Sequence, residues 1–364
     1  MRLVRLGVRG FRNLADESLE IPPCGIVLLG PNGHGKTSLL ESVAYPVLFR
    51  SFRTAVDSEL VRFGEAGFRV ELEFEREGHM RSVAGVFRAT TREKHYEVDG
   101  ARALRVRDAA GHWLAVVFAP EDVGLASGPA AGRRAYLDRT LALSDPGYLG
   151  ALARYRGALA QRNAALRQGQ PGLAAAFDAP LAEAGAQVVA RRLQWLAEVQ
   201  DRFRAVLEEL GEAGAVAELS YRGARELADP AEWPGRLAEV SARDVLRRAT
   251  SLGPHRDDLV LWLGRRPLRE FGSTGQYRSA AIALKLLELE TLEARTGTSP
   301  ALLLDDVFAE LDRDRQRRLA SRLFAGRSAQ VFITSPRQDE LPEGLALPVW
   351  QVVSGRVTGQ LVAG

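Results

Sequence analysis

The sequence has almost no cysteine, very little lysine and no long apolar run. Its 364 residues include a single cysteine, Cys24, which cannot form an internal disulfide and leaves no thiol partner for a zinc cluster. No apolar stretch approaches the roughly 18 residues that cross a bilayer, and the N-terminal segment MRLVRLGVRGFRNL alternates where a signal peptide would be continuously apolar. We therefore expect a soluble, cytoplasmic protein with no membrane partner and no redox chemistry.

Positive charge is carried almost entirely by arginine. Of the 49 basic residues only three are lysines, Lys36, Lys94 and Lys285, and the formal net charge is +3. Guanidinium groups suit forked hydrogen bonds to phosphate, although arginine can equally be the preferred surface cation of the chain. Because no segment concentrates the basic residues, the small net charge permits nucleic-acid binding without demonstrating it.

The length predicts two or three packing units, and 46% hydrophobic residues with 26% charged residues are typical of a globular chain. The first 120 residues contain short β-branched or alternating runs that predict strands. Residues 131–210 have apolar residues at every third or fourth position, which predicts long amphipathic helices. The interruption QGQPG at 168–172 predicts a turn between two antiparallel helices of an arm.

After Gly253 the strand and helix patterns alternate. The order is a strand DLVLWLG, a helix over about 276–295, the apolar run ALLLDD, a helix over about 313–325 and a strand AQVFITS. This βαβ order predicts a parallel sheet with helical crossovers. We expect an α/β protein with a discontinuous domain, residues 1–120 and 251–364, and a mainly helical insert, residues 121–250.

The most specific motif lies between an apolar strand pattern and a helix pattern. It is a complete GxxxxGK[ST] P-loop formed by Gly30, Pro31, Asn32, Gly33, His34, Gly35, Lys36 and Thr37. Its glycines allow backbone amides to surround phosphates, and the helix dipole adds positive potential there. We expect Lys36 to reach the β- and γ-phosphates of ATP and the Thr37 hydroxyl to coordinate Mg²⁺. His34 is interpreted as a spacer or a phosphate hydrogen-bonding group.

The run ALLLDD supplies the acidic partner that a P-loop requires. Asp305 ends this strand pattern and is predicted to hold Mg²⁺, directly or through water, while Asp306 is predicted to polarise the attacking water. The two carboxylates could instead be a helix N-cap and its neighbour, a role that does not exclude catalysis.

A second anion-binding helix end is predicted before that strand. Ser273, Thr274, Gly275 and Gln276 precede a long helix pattern and would present free amides and a hydroxyl at its N-terminus. The SxGQ pattern alone is weak, because serine and glycine are ordinary helix caps. Its value comes from the order of P-loop, SxGQ helix and aspartate-ended strand.

That order resembles the ATP-binding-cassette (ABC) ATPases. The resemblance makes Ser273 to Gln276 the signature motif, which in that family caps the γ-phosphate held by the opposite subunit, and it makes Glu310, Leu311 and Asp312 the D-loop. Within the chromosome-maintenance branch, the chain is most similar to the RecF family of recombination mediators. The similarity rests on FAPEDVGLASGPAAGRRAYLD (118–138), SLGPHRDDL (251–259), FGSTGQYRS (271–279) and LLLDDVFAELDRDRQRRL (302–319).

The resemblance implies an ABC-type ATPase head with a mixed or parallel sheet and an inserted helical arm. It also implies binding of ATP and DNA, an ATP-dependent homodimer, and cooperation with RecR and RecO in loading RecA at single-strand gaps during DNA repair and replication and in the SOS response. A transporter ATPase subunit, a chromosome organiser and a P-loop kinase are the competing classes. The first needs a membrane partner, the second a far longer heptad-patterned insert, and the third gives the SxGQ helix no role.

Two departures from the cassette pattern bear on the reaction. No glutamine occurs between Lys36 and Gln161, so Glu121 is the candidate substitute for the usual glutamine ligand. No histidine follows His255, which leaves Thr334 at the switch position. Both departures weaken water activation, so we expect slow hydrolysis, with ATP acting mainly as a dimerisation switch.

Paired arginines are the candidate contacts for a DNA backbone. Most such pairs are solvated helix faces, but together they predict salt-sensitive, sequence-tolerant binding. The pairs are Arg133-Arg134, Arg191-Arg192, Arg247-Arg248, Arg265-Arg266 and Arg317-Arg318. A further polar group, His255 to Asp258, is interpreted as a capping and salt-bridge cluster in preference to a metal site.

Overall fold

The computed structural model of the chain describes residues 1–212, 216–309, 311–324 and 329–361. The chain divides into two compact units, one formed by Met1–Asp122 and Glu288–Gly364, the other by Val123–Leu287. The sequence instead predicts limits at 120/121 and 250/251. Residues after 250 belong to the second unit because a strand at 258–263 pairs with one at 217–222. That the units act as a head and an insert stays a prediction.

The first unit starts with an antiparallel sheet that α1 covers. The elements up to Asp122 are β1 (Arg2–Arg9), β2 (Glu17–Glu20), β3 (Gly25–Leu29), α1 (Lys36–Leu48), β4 (Gly67–Arg76), β5 (His79–Arg88), β6 (Glu93–Val98), β7 (Ala101–Ala103) and β8 (Ala115–Phe118). Six of them form one sheet in the order β2-β1-β4-β5-β6-β7. Its strands alternate buried and more exposed residues, and Tyr45 of α1 packs edge-on against Phe68 of β4, with ring centroids 5.2 Å apart.

The second unit contains the predicted helical arm. Its elements are α2 (Val123–Ser127), α3 (Ala130–Ser144), α4 (Pro146–Arg167), α5 (Pro171–Ala175), α6 (Asp178–Glu209), β9 (Ala217–Arg222), α7 (Trp233–Arg247), β10 (Asp258–Leu263), β11 (Arg266–Pro267), α8 (Leu268–Phe271) and the start of α9 (Thr274–Thr296). Arg162 of α4 bonds Asp178 of α6 at 2.7 Å, and Arg154 bonds Gln187 at 3.1 Å. The contact with the higher residue number in α6 has the lower residue number in α4, so the two helices run antiparallel and the predicted pair is confirmed.

The prediction that the strand DLVLWLG belongs to the parallel sheet is wrong. It forms β10, which pairs antiparallel with β9 and β11 in a three-stranded sheet of the second unit. A short continuous apolar run reads the same in a parallel and an antiparallel sheet, so periodicity alone could not identify the partner strands.

The parallel sheet predicted for the C-terminal part is present in the first unit, and the predicted α/β class is confirmed. The remaining elements are β12 (Ala301–Asp305), α10 (Arg313–Phe324), β13 (Val331–Ser335), β14 (Val349–Val353) and β15 (Arg356–Leu361). The strand order is β15-β14-β3-β13-β12-β8, parallel throughout except between β14 and β15. All residues of β3, β12 and β13 are buried. Among the helices that the structure describes, none combines the length and apolar character of a bilayer span.

Candidate nucleotide site

The predicted P-loop connects β3 to α1 at the carboxyl edge of the parallel sheet. Gly33 and Gly35 have φ angles of 81° and 108°, which side chains with a Cβ rarely adopt. Gly35 also caps α1, and this cap provides no side-chain hydrogen bond to the first turn, which contains no acidic residue. The first amides of α1 are therefore available to an anion.

Lys36 is folded into this loop. Lys36 is only 4% exposed, and its Nζ donates to the carbonyl oxygens of Gly30 at 2.6 Å and Pro31 at 3.2 Å. Carbonyl dipoles compensate a buried ammonium only in part, and an anion would do so more completely. The loop amides and this ammonium thus fit the phosphates of a nucleotide.

Thr37 in the first turn of α1, Asp305 at the end of β12 and Thr334 near the end of β13 form a hydrogen-bonded row. The Thr37 hydroxyl donates to Asp305 Oδ1 at 2.9 Å, joining the P-loop helix to β12. The Thr334 hydroxyl lies 2.8 Å from the same Oδ1 and accepts from the backbone amide of Asp306 at 2.9 Å. The Thr37 hydroxyl and the Asp305 carboxylate are hard oxygen ligands of the type that Mg²⁺ prefers, so these residues fit that ion.

The two aspartates of ALLLDD have different environments. Burial raises the pKa of Asp305 to about 6, against the opposing effect of hydrogen bonds from Thr334 and Thr37. Charge repulsion from Asp306 and Glu121 adds to the increase. Asp306 is less buried and has a φ of 48°, an uncommon conformation for a non-glycine residue at the end of a strand. Its amide is held by Thr334, so this conformation is fixed from the neighbouring strand.

The helix that follows these two aspartates is capped by a different residue. Helix α10 begins at Arg313, and the Asp312 carboxylate accepts from the amide of Arg315 at 2.9 Å. This hydrogen bond lowers the pKa of the exposed Asp312 carboxyl. Leu311 lies just before this cap, whereas Glu310, the remaining residue of the predicted D-loop, is outside the described residues.

Glu121 and Thr334, the two candidate substitutes, both lie at the carboxyl edge of the parallel sheet. Glu121 follows β8, which is hydrogen-bonded to β12, and its charge contributes to the raised pKa of Asp305. Thr334 lies in β13 opposite Asp305. The structure therefore brings both residues to the aspartate that is predicted to hold the metal.

Ser273 to Gln276 form a reciprocal cap on α9 in the second unit. The Ser273 hydroxyl accepts from the Gln276 amide at 3.2 Å, and the Gln276 side chain accepts from the Ser273 amide at 2.9 Å. The cap occupies the Ser273 and Gln276 amides, and the use of this helix end as an anion-binding site stays a prediction. Ser273 and Thr274 are nevertheless exposed, and Thr274 and Gly275 lie at the start of the helix.

Sequence reasoning missed two supports of the P-loop. Asn13, in the loop after β1, donates from Nδ2 to the Gly33 carbonyl at 3.0 Å. The turn between β14 and β15 holds His34, since the Gly355 amide donates to the His34 carbonyl at 2.9 Å and the Ser354 amide to Nδ1 at 3.3 Å. The interpretation of His34 as a spacer or a phosphate hydrogen-bonding group stays a prediction. No sequence motif includes Asn13, so no signal in the sequence identifies it as a support of the P-loop.

In two of the arginine pairs one residue is buried, and the prediction that this residue contacts DNA is wrong. Arg133 is 3% exposed and makes two hydrogen bonds to Asp258, at 2.8 and 2.9 Å. Arg192 is 2% exposed and donates to Asp138 at 2.7 Å and to the Pro254 carbonyl at 2.8 Å. The exposed members of the remaining pairs are Arg247, Arg248, Arg265, Arg266, Arg317 and Arg318.

The polar group from His255 to Asp258 is a hydrogen-bonded cluster. His255 Nδ1 lies 2.6 Å from the Tyr155 hydroxyl and Nε2 lies 3.0 Å from the Thr250 carbonyl, so both ring nitrogens have protein partners. Asp257 accepts from the Tyr221 hydroxyl. Burial lowers the pKa of His255 and raises the pKa of Asp257. These pairings support the interpretation as a capping and salt-bridge cluster.

Comparison with known proteins gives a consistent result. The family model described as the RecF/RecN/SMC N-terminal domain matches residues 2–347. The chain is 40% identical to the DNA replication and repair protein RecF of Anaeromyxobacter dehalogenans (strain 2CP-C), over 98% of this chain and 99% of that protein. It is 37% identical to the protein of the same name from Heliobacterium modesticaldum, over 92% of each.

Two solved structures extend the comparison to the fold. One is the recombination mediator protein RecF with ATP in the RecFOR pathway, which is 30% identical, has a TM-score of 0.90 and covers 99% of this chain and 97% of that one. The other is an Smc head bound to a winged-helix domain of ScpA, which is 14% identical and has a TM-score of 0.59 over 100% and 98% of the two chains. The second likeness concerns the fold alone, which is that of an ABC-type ATPase head.

Proposed function

This chain belongs to the family of the DNA replication and repair protein RecF, and we propose that it is an ATP-dependent, DNA-binding recombination mediator. Two copies associate when ATP is bound, and the dimer helps to load a recombinase at single-strand gaps during DNA repair and replication. The observation that carries the proposal is the hydrogen bond by which Thr37 of the P-loop is joined to Asp305 at the end of β12. The solved relative named with ATP supports the choice of nucleotide.

The P-loop residues Gly30 to Thr37 bind the triphosphate. Lys36 exchanges the carbonyls of Gly30 and Pro31 for phosphate oxygens, and the first amides of α1 complete the cradle. Thr37 and Asp305 would hold Mg²⁺, which when bound neutralises phosphate charge. The 2.9 Å bond between the two residues keeps their oxygens together.

Hydrolysis in this proposal is slow and depends on few groups. Asp306 polarises the attacking water, and Thr334 fixes its backbone from the neighbouring strand. Glu121 takes the place of the glutamine ligand near Asp305. With no histidine in the switch position, the hydrolytic step lacks its usual additional base, so ATP serves mainly as a switch between association states.

Dimerisation follows from a nucleotide that is bound from two sides. Ser273, Thr274, Gly275 and Gln276 of one copy cap the γ-phosphate held by the other copy, and Glu310, Leu311 and Asp312 act as the D-loop of the same interface. The exposure of Ser273 and Thr274 at the start of α9 supports this role. The Ser273–Gln276 cap must then open or share its hydroxyl when the phosphate arrives.

DNA and protein partners complete the proposal. The exposed arginines, among them Arg247, Arg248, Arg265 and Arg266, contact the phosphate backbone of DNA without reading sequence. The partners are RecR and RecO, and indirectly RecA, in keeping with the pathway named for the solved relatives.

One experiment tests the DNA part directly. Binding to duplex and gapped DNA is measured by fluorescence anisotropy with ATP, with ADP and without nucleotide, each at about 50 and 200 mM salt. We expect tight binding only with ATP, and a loss of at least about tenfold in affinity at the higher salt. Equal affinity in all three nucleotide states, or no dependence on salt, is incompatible with the proposal.

A further inference from the structure

The amide of Asn13 connects two parts of the nucleotide site. Its Nδ2 donates to the Gly33 carbonyl at 3.0 Å, and its Oδ1 accepts from the Ser38 hydroxyl at 2.9 Å. Gly33 lies in the P-loop and Ser38 in the first turn of α1, whereas Asn13 lies in the loop between β1 and β2. A residue outside the motif therefore links the loop to the helix that follows it.

The backbone around Asn13 is itself fixed. Arg12 has a φ of 51° and makes two hydrogen bonds, at 2.8 and 2.9 Å, to the fully buried carboxylate of Glu41 in α1. On the other side, the Ala15 amide donates to the Gly355 carbonyl at 2.8 Å. A Cβ on Gly355 would lie 1.8 Å from the Asn13 carbonyl oxygen, so the two segments are in closest contact. The backbone from which the Asn13 side chain extends is therefore held in place on both sides.

The bond to Gly33 sets the direction of a P-loop amide. In a trans peptide the carbonyl and the next amide point in opposite directions. Since Asn13 holds the Gly33 carbonyl, the His34 amide points away from Asn13, and it lies 3.4 Å from the Pro31 carbonyl within the loop. That separation is long for an N–H···O hydrogen bond, so a phosphate oxygen can replace the carbonyl at little loss.

We propose that Asn13 is a positioning residue of the nucleotide site, holding the Gly33–His34 peptide with its amide directed at the phosphates. This inference rests on the proposed function, because it assigns Asn13 a task only if the P-loop binds a nucleotide. A carboxamide suits the position, since it donates to Gly33 and accepts from Ser38 at once. An aspartate keeps the acceptor, loses the donor and adds a negative charge beside the phosphates.

The test compares Asn13→Ala, Asn13→Asp and Ser38→Ala with Asp16→Ala as the matched control. Asp16 is in the same loop, accepts from the Gly10 amide at 2.9 Å and is ion-paired with Arg62, so its removal loosens the loop without removing a P-loop bond. The dissociation constants of fluorescent ATP and ADP and the thermal midpoint are measured for each full-length variant.

We expect Asn13→Ala to raise both dissociation constants by about tenfold, the effect of one lost hydrogen bond near a charged ligand, with their ratio unchanged. Asn13→Asp should bind at least as weakly, and its defect should shrink as salt screens the added charge. Ser38→Ala removes the donor to Asn13 Oδ1 and should weaken nucleotide binding less than Asn13→Ala, because the Gly33 carbonyl keeps its donor. Asp16→Ala removes neither bond of Asn13 and should stay within about twofold of the unmodified chain.

Three outcomes would overturn the inference. The first is unchanged nucleotide affinity in Asn13→Ala, and the second is an equal loss in Asp16→Ala, which would assign the effect to folding of the loop. The third is failure of the unmodified chain to bind either nucleotide. That result removes the proposed function as well, whereas the first two leave it standing.

Discussion

Replacing Thr334 by valine removes one hydroxyl and little else. Thr334 is 1% exposed, and its oxygen is placed 2.8 Å from Asp305 Oδ1 and 2.9 Å from the Asp306 amide. Valine has nearly the same shape but cannot hydrogen-bond, so both groups lose a partner in a buried place. A buried polar group without its partner costs about 1–3 kcal/mol, and we expect the free energy of unfolding to fall by that amount.

The same substitution should affect hydrolysis more than nucleotide binding. Asp306 has an uncommon backbone conformation and its amide is bonded to Thr334, so without the hydroxyl its carboxylate is no longer held in one orientation. Misplacement of a catalytic group by about an ångström commonly lowers a rate by about a hundredfold, and we expect a fall of about ten- to a hundredfold in phosphate release at saturating ATP. Lys36 and the P-loop amides are untouched, so the dissociation constant of ATP should change by less than about threefold.

Thr334→Ser is the matched control, because it keeps the hydroxyl and removes only a methyl group. Urea denaturation gives the free energy of unfolding, and a phosphate-release assay with DNA present gives the turnover rate for all three proteins. A valine variant that unfolds and hydrolyses like the unmodified chain would show that the Thr334 hydroxyl has neither role. A serine variant as slow as the valine variant would show that keeping the hydroxyl does not preserve the rate, which contradicts the role given to that hydroxyl.

Two further predictions concern the second unit. Arg192→Ala removes a buried guanidinium that donates to Asp138, to the Tyr148 hydroxyl and to the Pro254 carbonyl, although Asp138 keeps its ion pair with Arg156. Because these acceptors lose a buried donor, the free energy of unfolding should fall by about 2–3 kcal/mol. Arg191→Ala removes a partly exposed ion pair with Asp145 and should cost at most about 1 kcal/mol, and equal losses of the two variants in urea denaturation would contradict the burial argument. Burial lowers the pKa of His255, so the unfolded chain takes up the proton first and the stability of the fold falls as the pH drops below the unfolded pKa of about 6.5. The His255→Gln variant should therefore lose less stability than the unmodified chain between about pH 7.5 and 5.5. Equal decreases in the thermal midpoint of the two proteins over this range would contradict the assignment.

The parts of the site that the sequence predicts are those encoded by neighbouring residues. The P-loop is a contiguous motif between a strand and a helix, so its glycines, Lys36 and Thr37 are recognisable without knowledge of the tertiary fold. Asp305 is recognisable for the same reason, because a buried strand pattern leads directly to it. The placement of Thr334 followed from its position at the end of the next buried strand.

The parts that were missed depend on partners far away in the chain. Arg192 is paired with Asp138, 54 residues earlier, and Arg133 with Asp258, 125 residues later, so nothing local distinguishes either from a surface arginine. Asn13 contacts Gly33, which is 20 residues later in the chain, and the residues around Asn13 do not indicate this partner. The apolar run of β10 does not identify the strand with which it pairs, so the predicted parallel sheet is wrong for this strand.

The oligomeric state in the presence of a nonhydrolysable ATP analogue is the most direct test of the proposed switch. Sedimentation velocity is run on the unmodified chain and on Lys36→Met, which removes the ammonium that is bonded within the P-loop, with the analogue, with ADP and without nucleotide. We expect a dimer only for the unmodified chain with the analogue, and a monomer in the other five samples. A monomer at saturating analogue, or a Lys36→Met variant that dimerises normally, is incompatible with a nucleotide bound between two copies.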